Sequence, residues 1–339
     1  MSSMMRAWVV ATPGPIDTKP LEFIERPVPV PGPREVRLRV LACGVCRTDL
    51  HLAEGDLVPH RPRVVPGHEI VAVIDGMGPD STEFRVGERV GAAWLARTCG
   101  VCRFCLSQRE NLCLEPTFTG WDVDGGYATF VVAHEDFIYR LPEQFDDVSL
   151  APLLCAGIIG YRAFRRTELS AGGRLGIYGF GGSAHLTAQI ALAEGARVHV
   201  ITRSATSRDL ARTLGVTSVG DENNSPPEPL DGAILFAPVG SLVPTALAAL
   251  DRGGVLAVAG IYLSDIPSLN YEDDLFQERT LRSVTANTRQ DGREFLELAA
   301  QFNVKSTVHA YPFDQADRAL SDLAHQRFSG AAVLVNFDR

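Results

Sequence analysis

Arg174-Leu175-Gly176-Ile177-Tyr178-Gly179-Phe180-Gly181-Gly182-Ser183-Ala184 joins an apolar run to a helix-like run through a glycine turn. Residues 174–178 have the texture of a buried strand, and Ala184 to Glu194 carries apolar residues at helical spacing. The turn between them has the form G-x-G-G-x-A, with Ala184 standing where a third glycine is common. Gly179 permits the tight turn, and Gly181 lets backbone approach a pyrophosphate at the N-terminus of the helix. A glycine run by itself is weak evidence, so its surroundings decide.

Downstream the same alternation continues. Val198 to Ile201 reads as a strand and Arg208 to Leu214 as a helix. Ala233 to Phe236, Val255 to Ala259 and Leu281 to Thr285 are further strands with helical stretches between them. Strands alternating with helices predict a parallel, doubly wound sheet. Asn223 to Pro229, rich in Asn and Pro, is a surface loop. Upstream the texture differs. Residues up to about 150 form short strands between Gly and Pro, and Glu35 to Val40 alternates strictly. Val64-Val65, Ile70 to Ile74, Arg89 to Trp94 and Tyr127 to Ala133 are further β-rich runs, so this half reads as an irregular β-barrel. After Arg289 an amphipathic helix centres on Phe295-Leu298-Ala299, and a β-α-β stretch from Thr307 to Phe337 returns to the first domain. The division expected is residues 1–150 with 290–339 as one domain and 151–289 as the dinucleotide-binding domain.

At 339 residues the chain has room for about two cores, and 45% apolar with 22% charged residues is ordinary for a globular protein. Its net charge of −9 argues against partners that are nucleic acid or anionic membrane, since nothing neutralises phosphates. The start, Met1-Ser2-Ser3-Met4-Met5-Arg6, leads into an apolar stretch closed by Pro13-Gly14-Pro15, with neither a signal-peptide core nor a cleavage site. The longest apolar run, Leu150 to Tyr161, is too short for a membrane span. A cytoplasmic location is expected.

Seven cysteines are unevenly placed: 43 and 46, then 99, 102, 105 and 113, then 155. Such clustering points to metal rather than disulfides. Cys99, Cys102 and Cys105 can wrap one ion in tight turns, and Cys113 closes a tetrahedron from the far side of a lobe. Four thiolates around Zn²⁺ make a closed, structural site. An iron–sulfur cluster competes, but the fourth spacing is seven residues and no proline follows Cys113. Zinc is the better fit.

A catalytic zinc needs about three protein ligands and an open position. No spacing reveals such a trio here, but three segments in order do. Cys43-Gly44-Val45-Cys46-Arg47-Thr48-Asp49-Leu50-His51, Pro66-Gly67-His68-Glu69 and Leu154-Cys155-Ala156-Gly157 resemble the zinc-containing medium-chain alcohol dehydrogenases. The resemblance spans essentially the whole chain. Ala151 to Tyr161, Phe236 to Gly240 and Thr288 to Gly292 bring it nearest the bacterial cinnamyl-alcohol-dehydrogenase-like branch. It implies an α/β fold of a GroES-like β-domain plus a Rossmann domain, assembled as a homodimer or homotetramer. It implies Cys46, His68 and Cys155 as ligands of the catalytic zinc, Glu69 as an alternative ligand or supporting carboxylate, and Cys99, Cys102, Cys105 and Cys113 around the structural zinc. Thr48 and His51 would then be catalytic, Thr48 reaching the reacting oxygen and His51 ending a proton relay at solvent. Asp49 would orient His68, and the leftover Cys43 would be a small apolar residue. Trp94 and Trp121 would line a pocket for the alcohol or aldehyde. Zinc would act as Lewis acid while nicotinamide gives or takes hydride.

Cofactor contacts are expected from Gly179, Gly181 and Gly182, and by family position from Ala237, Gly260, Ser283 and Arg289. An NAD-selective site ends its second strand in Asp or Glu. Here the strand ends in Thr202-Arg203-Ser204. Two hydroxyl donors and a guanidinium suit a 2′-phosphate, so NADP(H) is expected over NAD(H). Alternatives are an NAD-preferring dehydrogenase, a formaldehyde or polyol dehydrogenase, and a zinc-free relative such as a quinone reductase or a nucleotide-binding structural protein. The zinc-free class would lack the ligand trio.

Overall fold

The computed structural model describes residues 3–260 and 262–336. Contacts divide the chain into two compact units. The first takes the described residues up to Cys155, Ala286–Leu296 and those from Lys305 on; the second takes Ala156–Thr285 and Glu297–Val304.

The first unit is built on a seven-stranded sheet. Along it run Val308–Pro312, Ala331–Val335, Glu35–Val45, Ile70–Met77, Arg89–Ala92 and Ile138–Arg140, with Phe130–His134 also pairing Glu35–Val45. All pairs are antiparallel except that of Val308–Pro312 with Ala331–Val335. The last β-α-β stretch therefore does reach this sheet, through the pairing of Ala331–Val335 with Glu35–Val45. Phe337, its expected end, lies outside the described residues. Glu35–Val45 alternates between buried and half-buried up to Ala42 and is then buried throughout Cys43-Gly44-Val45. That change coincides with the stretch where Ala42–Val45 is flanked by Ala331–Val335 on one side and by the start of Ile70–Met77 on the other. Met4–Val10 and Leu21–Pro27 add an antiparallel pair whose Trp8 and Val9 join the core.

Three β-rich runs of the sequence are not strands over their full length. Val64-Val65 is irregular although fully buried, because its carbonyls accept single hydrogen bonds from Val10 and Gly125 rather than a ladder. The run from Tyr127 begins its strand only at Phe130, and the run from Arg89 ends its strand at Ala92, before Trp94.

The second unit is a six-stranded parallel sheet in the order Ser218–Gly220, Arg197–Ile201, Arg174–Tyr178, Leu230–Leu235, Leu250–Val258, Thr280–Ser283. Numbered along the chain, that order is 3-2-1-4-5-6, the doubly wound arrangement with its switch point beside the first strand. Ser218–Gly220 has no counterpart in the sequence reading, since three residues are too few to show a period. Helices Ala156–Arg166, Gly182–Ala193, Ala205–Thr213 and Leu242–Ala248 belong to this unit. No single helix among the described residues is long and apolar enough to cross a membrane.

Candidate active site and dinucleotide site

Antiparallel pairing assembles the dispersed candidate ligands. Cys43 pairs with Ile70, so Cys46, just past one strand, and His68-Glu69, just before the other, emerge at the same end of the ladder. Gly44 N–H donates to the Glu69 carbonyl at 3.0 Å. A Cβ at Gly44 would lie 1.7 Å from Glu69 Oε2, so only glycine lets that carboxylate turn inward. Cys155 arrives from a third direction, at the end of the buried 3₁₀ turn Ala151–Leu154. One ligand atom from each of Cys46, His68, Glu69 and Cys155 lies within 4.8 Å of the others.

Cys46 is also the N-cap of helix Arg47–Glu54, and its N–H donates to Asp49 Oδ2 at 2.9 Å. The other carboxylate oxygen of Asp49 accepts from Gly67 N–H at 2.9 Å and faces His68 Nδ1 at 3.2 Å. That leaves His68 Nε2 for a metal. Tyr127, fully buried, donates its hydroxyl to Asp49 Oδ2 at 3.5 Å. Thr48 is buried with Oγ1 3.8 Å from Cys46 Sγ, and His51 follows one turn later on the same face. His51 Nδ1 meets Asp56 at 2.9 Å. Cys43 is buried, its sulfur where a Cβ on Gly67 or Gly126 would fall, which leaves it packed rather than ligating.

The donor chemistry fits a divalent cation. A hydrogen bond from Cys155 pulls the Cys46 thiol well below its ordinary value, against burial and with help from His68. The bond to Cys46, then burial, pushes Cys155 well up; burial, then the Cys46 charge, does the same to Glu69. Thiols and carboxylate crowd one buried spot, and a bound cation lets all of them ionise.

The four-cysteine lobe fits zinc by distance. Sulfurs about 2.3 Å from a tetrahedral ion stand roughly 3.8 Å apart. Here Cys113–Cys99, Cys102–Cys105 and Cys99–Cys105 are 3.5, 3.6 and 3.9 Å apart. Backbone N–H groups of Cys102, Cys99 and Glu115 point at sulfurs from 3.3 to 3.4 Å. Such donors, that of Cys105 foremost, draw the Cys102 thiol down to about 6.

The strand registers bring most of the expected cofactor residues into one row. Tyr178 pairs with Ile201 and Leu235, Leu235 with Val258, and Val258 with Ser283. Gly179, Thr202, Ala237, Gly260 and Ser283 therefore lie together at the C-terminal edge of the sheet. Gly179 has φ +85°, and a Cβ there would sit 2.8 Å from Ala237 N. Gly181 caps helix Gly182–Ala193, and a Cβ on it would meet nothing within 4 Å, leaving the open approach a pyrophosphate needs. Thr202 is buried and Arg203 exposed, while Ser204 is the N-cap of Ala205–Thr213, accepting from Ser207 N–H. Arg208 escaped the sequence reading. Its Nη1 donates to the carbonyls of Thr202 and Arg203, placing a second guanidinium at this strand end. Arg289 is not in the row. It belongs to the first unit, where its N–H and Nε both donate to Glu110 and its guanidinium lies over Phe137.

Trp94 places its ring edge-on to His68 at 4.9 Å, and Trp121 lies nearly parallel to Trp94 at 5.9 Å. Phe118, between the two in chain order, stacks on both. Gly125 and Gly126 were also missed, because a Gly-Gly pair before a strand reads as a turn. They clamp Pro66-Gly67: a Cβ on Gly125 would lie 2.0 Å from Gly67 O.

Residues 32–143 match the family described as alcohol dehydrogenase GroES-like domain, and residues 182–301 match the zinc-binding dehydrogenases. The chain is 58% identical to a probable alcohol dehydrogenase AdhA of Mycobacterium tuberculosis, covering 98% of each. It is 34% identical to an alcohol dehydrogenase of Moraxella, covering 93% of this chain and 95% of that one. Among solved structures it resembles a cinnamyl alcohol dehydrogenase of Sorghum bicolor, with TM-score 0.87 and 26% identity over 98% of each chain. With an α/β fold of a GroES-like and a Rossmann unit, this chain belongs to the zinc-type medium-chain alcohol dehydrogenase family.

Proposed function

We propose that this protein transfers hydride between a primary alcohol/aldehyde pair and a nicotinamide cofactor, NADP(H) in preference to NAD(H), with one catalytic and one structural zinc per chain. The buried cluster of Cys46, His68, Glu69 and Cys155, with Thr48 beside it, carries the reading. The names of its relatives, alcohol dehydrogenases at 58% and 34% identity, support it. In this reading the catalytic domain comprises 1–150 with 290–339 and the cofactor domain 151–289, and the enzyme works as a homodimer or homotetramer.

Zinc, when bound, supplies a Lewis acid for the substrate oxygen, and the nicotinamide ring supplies or accepts the hydride. Cys46, His68 and Cys155 would hold the metal, with Glu69 in reserve. Asp49 holds Nδ1 of His68 and would so leave Nε2 for the ion. The Thr48 hydroxyl would orient the substrate oxygen and, in the oxidative direction, accept its proton while giving up its own to the relay. His51, paired with Asp56, would end that relay by giving a proton to solvent. The Trp94 and Trp121 rings give the pocket an apolar wall, so aromatic and medium-chain aldehydes should outperform acetaldehyde. For the cofactor, Thr202, Ser204, Arg203 and Arg208 put hydroxyls and positive charge at the second strand's end, where no carboxylate would repel a 2′-phosphate.

Metal analysis of the purified protein should find about two zinc ions per chain. His68→Ala should stay folded and bind NADPH while losing hydride transfer. Near-normal turnover by zinc-depleted His68→Ala would overturn the reading.

A further inference from the structure

The aromatic row that starts at His68 does not end at Trp121. His60 stacks on Trp121 with ring centroids 4.2 Å apart and planes 28° apart. Its Nδ1 lies 2.5 Å from Asp122 Oδ1. The second oxygen of Asp122 accepts from Phe118 N–H at 2.7 Å, so one carboxylate ties His60 to the turn that carries both Phe118 and Trp121. The Trp121 indole N–H donates to the Val58 carbonyl at 2.8 Å, a second tie between the same segments. The segment around His60 forms no helix or strand, and the imidazole is about half exposed. Nothing in the fold of the sheet requires an imidazole there, and the metal cluster does not touch it.

Building on the alcohol dehydrogenase reading, we propose that His60 and Asp122 are specificity-determining positioning residues. They pin Trp121, the outer ring of the wall Trp94–Phe118–Trp121, and thereby favour substrates whose alcohol carbon carries a planar aromatic group. Trp94 meets His68 edge-on and Trp121 lies parallel to Trp94, so a substrate oxygen at the cluster would lie beside Trp94 and a flat ring on its alcohol carbon would run along the wall toward Trp121. Aromatic pairs prefer defined offset or edge-to-face arrangements, so a ring gains from a neighbour held in one orientation. A two-carbon alcohol ends before Trp121 and gains nothing from the pin. Asp122 acts through His60 and through the Phe118 backbone, and His60 acts through Trp121.

The test compares the ratio of kcat/KM for benzyl alcohol to that for ethanol in wild type, His60→Ala, His60→Phe and Asp122→Asn. His60→Ala should lower the ratio about tenfold, the worth of one well-placed aromatic pair, chiefly through KM for benzyl alcohol. His60→Phe keeps the stack and should recover most of it. Asp122→Asn should fall between them. An unchanged ratio in His60→Ala, or no recovery in His60→Phe, overturns the proposal. Titration with benzaldehyde, followed by tryptophan fluorescence, reads the wall without turnover. His60→Ala should weaken that binding about tenfold, and equal binding overturns the pin. Wild type oxidising neither alcohol would sink the dehydrogenase reading instead, and the titration would still judge the wall.

Discussion

Gly125→Ala isolates the clamp that positions His68. Gly125 does not adopt a left-handed backbone, so alanine is conformationally acceptable there, and the effect is steric. The new Cβ would lie 2.0 Å from Gly67 O, 2.6 Å from Pro66 O and 2.8 Å from Pro66 C, all backbone atoms that cannot rotate away. Relief requires the two strands of backbone to separate. That motion loosens the bonds from Gly125 N–H to Val65 O, Gly126 N–H to Gly67 O and Tyr127 N–H to Pro66 O, now 2.8 to 2.9 Å. Overpacking costs about 1–3 kcal/mol, and losing the worth of two of these three bonds adds about 2 kcal/mol. A loss of roughly 3–5 kcal/mol lowers Tm by on the order of 10 °C in a unit of this size. Because Gly67 directly precedes His68 and its N–H bonds Asp49, the metal proposed for the Cys46–His68–Cys155 cluster should also be held less tightly. Calorimetry and zinc content check both. Gly87→Ala is the control: φ is +92° but nothing lies within 4 Å, so only local strain of about 1 kcal/mol applies. A Gly125→Ala protein with the Tm and zinc content of wild type would refute the reasoning.

Cys102→Ser should release the metal proposed for the four-cysteine lobe and expose residues 97–118 to fast hydrogen exchange while the rest of the first unit stays protected. Val101, Leu106 and Leu114 are largely exposed, so the lobe has little core of its own; unchanged exchange would count against a metal-held lobe. For cofactor choice, Thr202→Asp should shift kcat/KM toward NADH, and Arg203→Ala and Arg208→Ala should each reduce preference for NADPH. A wild-type preference for NADH would end that argument. Asp322 accepts from Arg327 at 2.9 Å and from the Tyr311 hydroxyl at 3.0 Å, and Arg327 holds its carboxyl below the ordinary value, against burial. A depressed carboxyl contributes stability that is present above its unfolded value near 3.9 and is lost as pH falls through the folded one. Wild type should therefore exceed Asp322→Asn in urea stability at neutral pH, and the gap should close as pH drops below about 4.

The elements legible from residues alone are those whose cause is local. The glycine turn after Tyr178 follows from short-range sterics, and Arg174–Tyr178 is found as expected. The four cysteines lie within one short lobe, so their spacing already contains the tetrahedron. The alternation of Glu35 to Val40 is a property of one strand and survives in the structure. Cys46, His68 and Cys155 were nameable only through family likeness, because no periodicity links positions so far apart. Their meeting depends on the register that pairs Cys43 with Ile70 and on the 3₁₀ turn that delivers Cys155. The same holds for the glycines facing Pro66-Gly67, for Arg208 at the strand end and for His60 on Trp121. Local bonding writes its requirement into neighbouring residues. Close approach between distant backbones leaves only a glycine, an arginine or a histidine whose purpose is invisible until the sheet has folded.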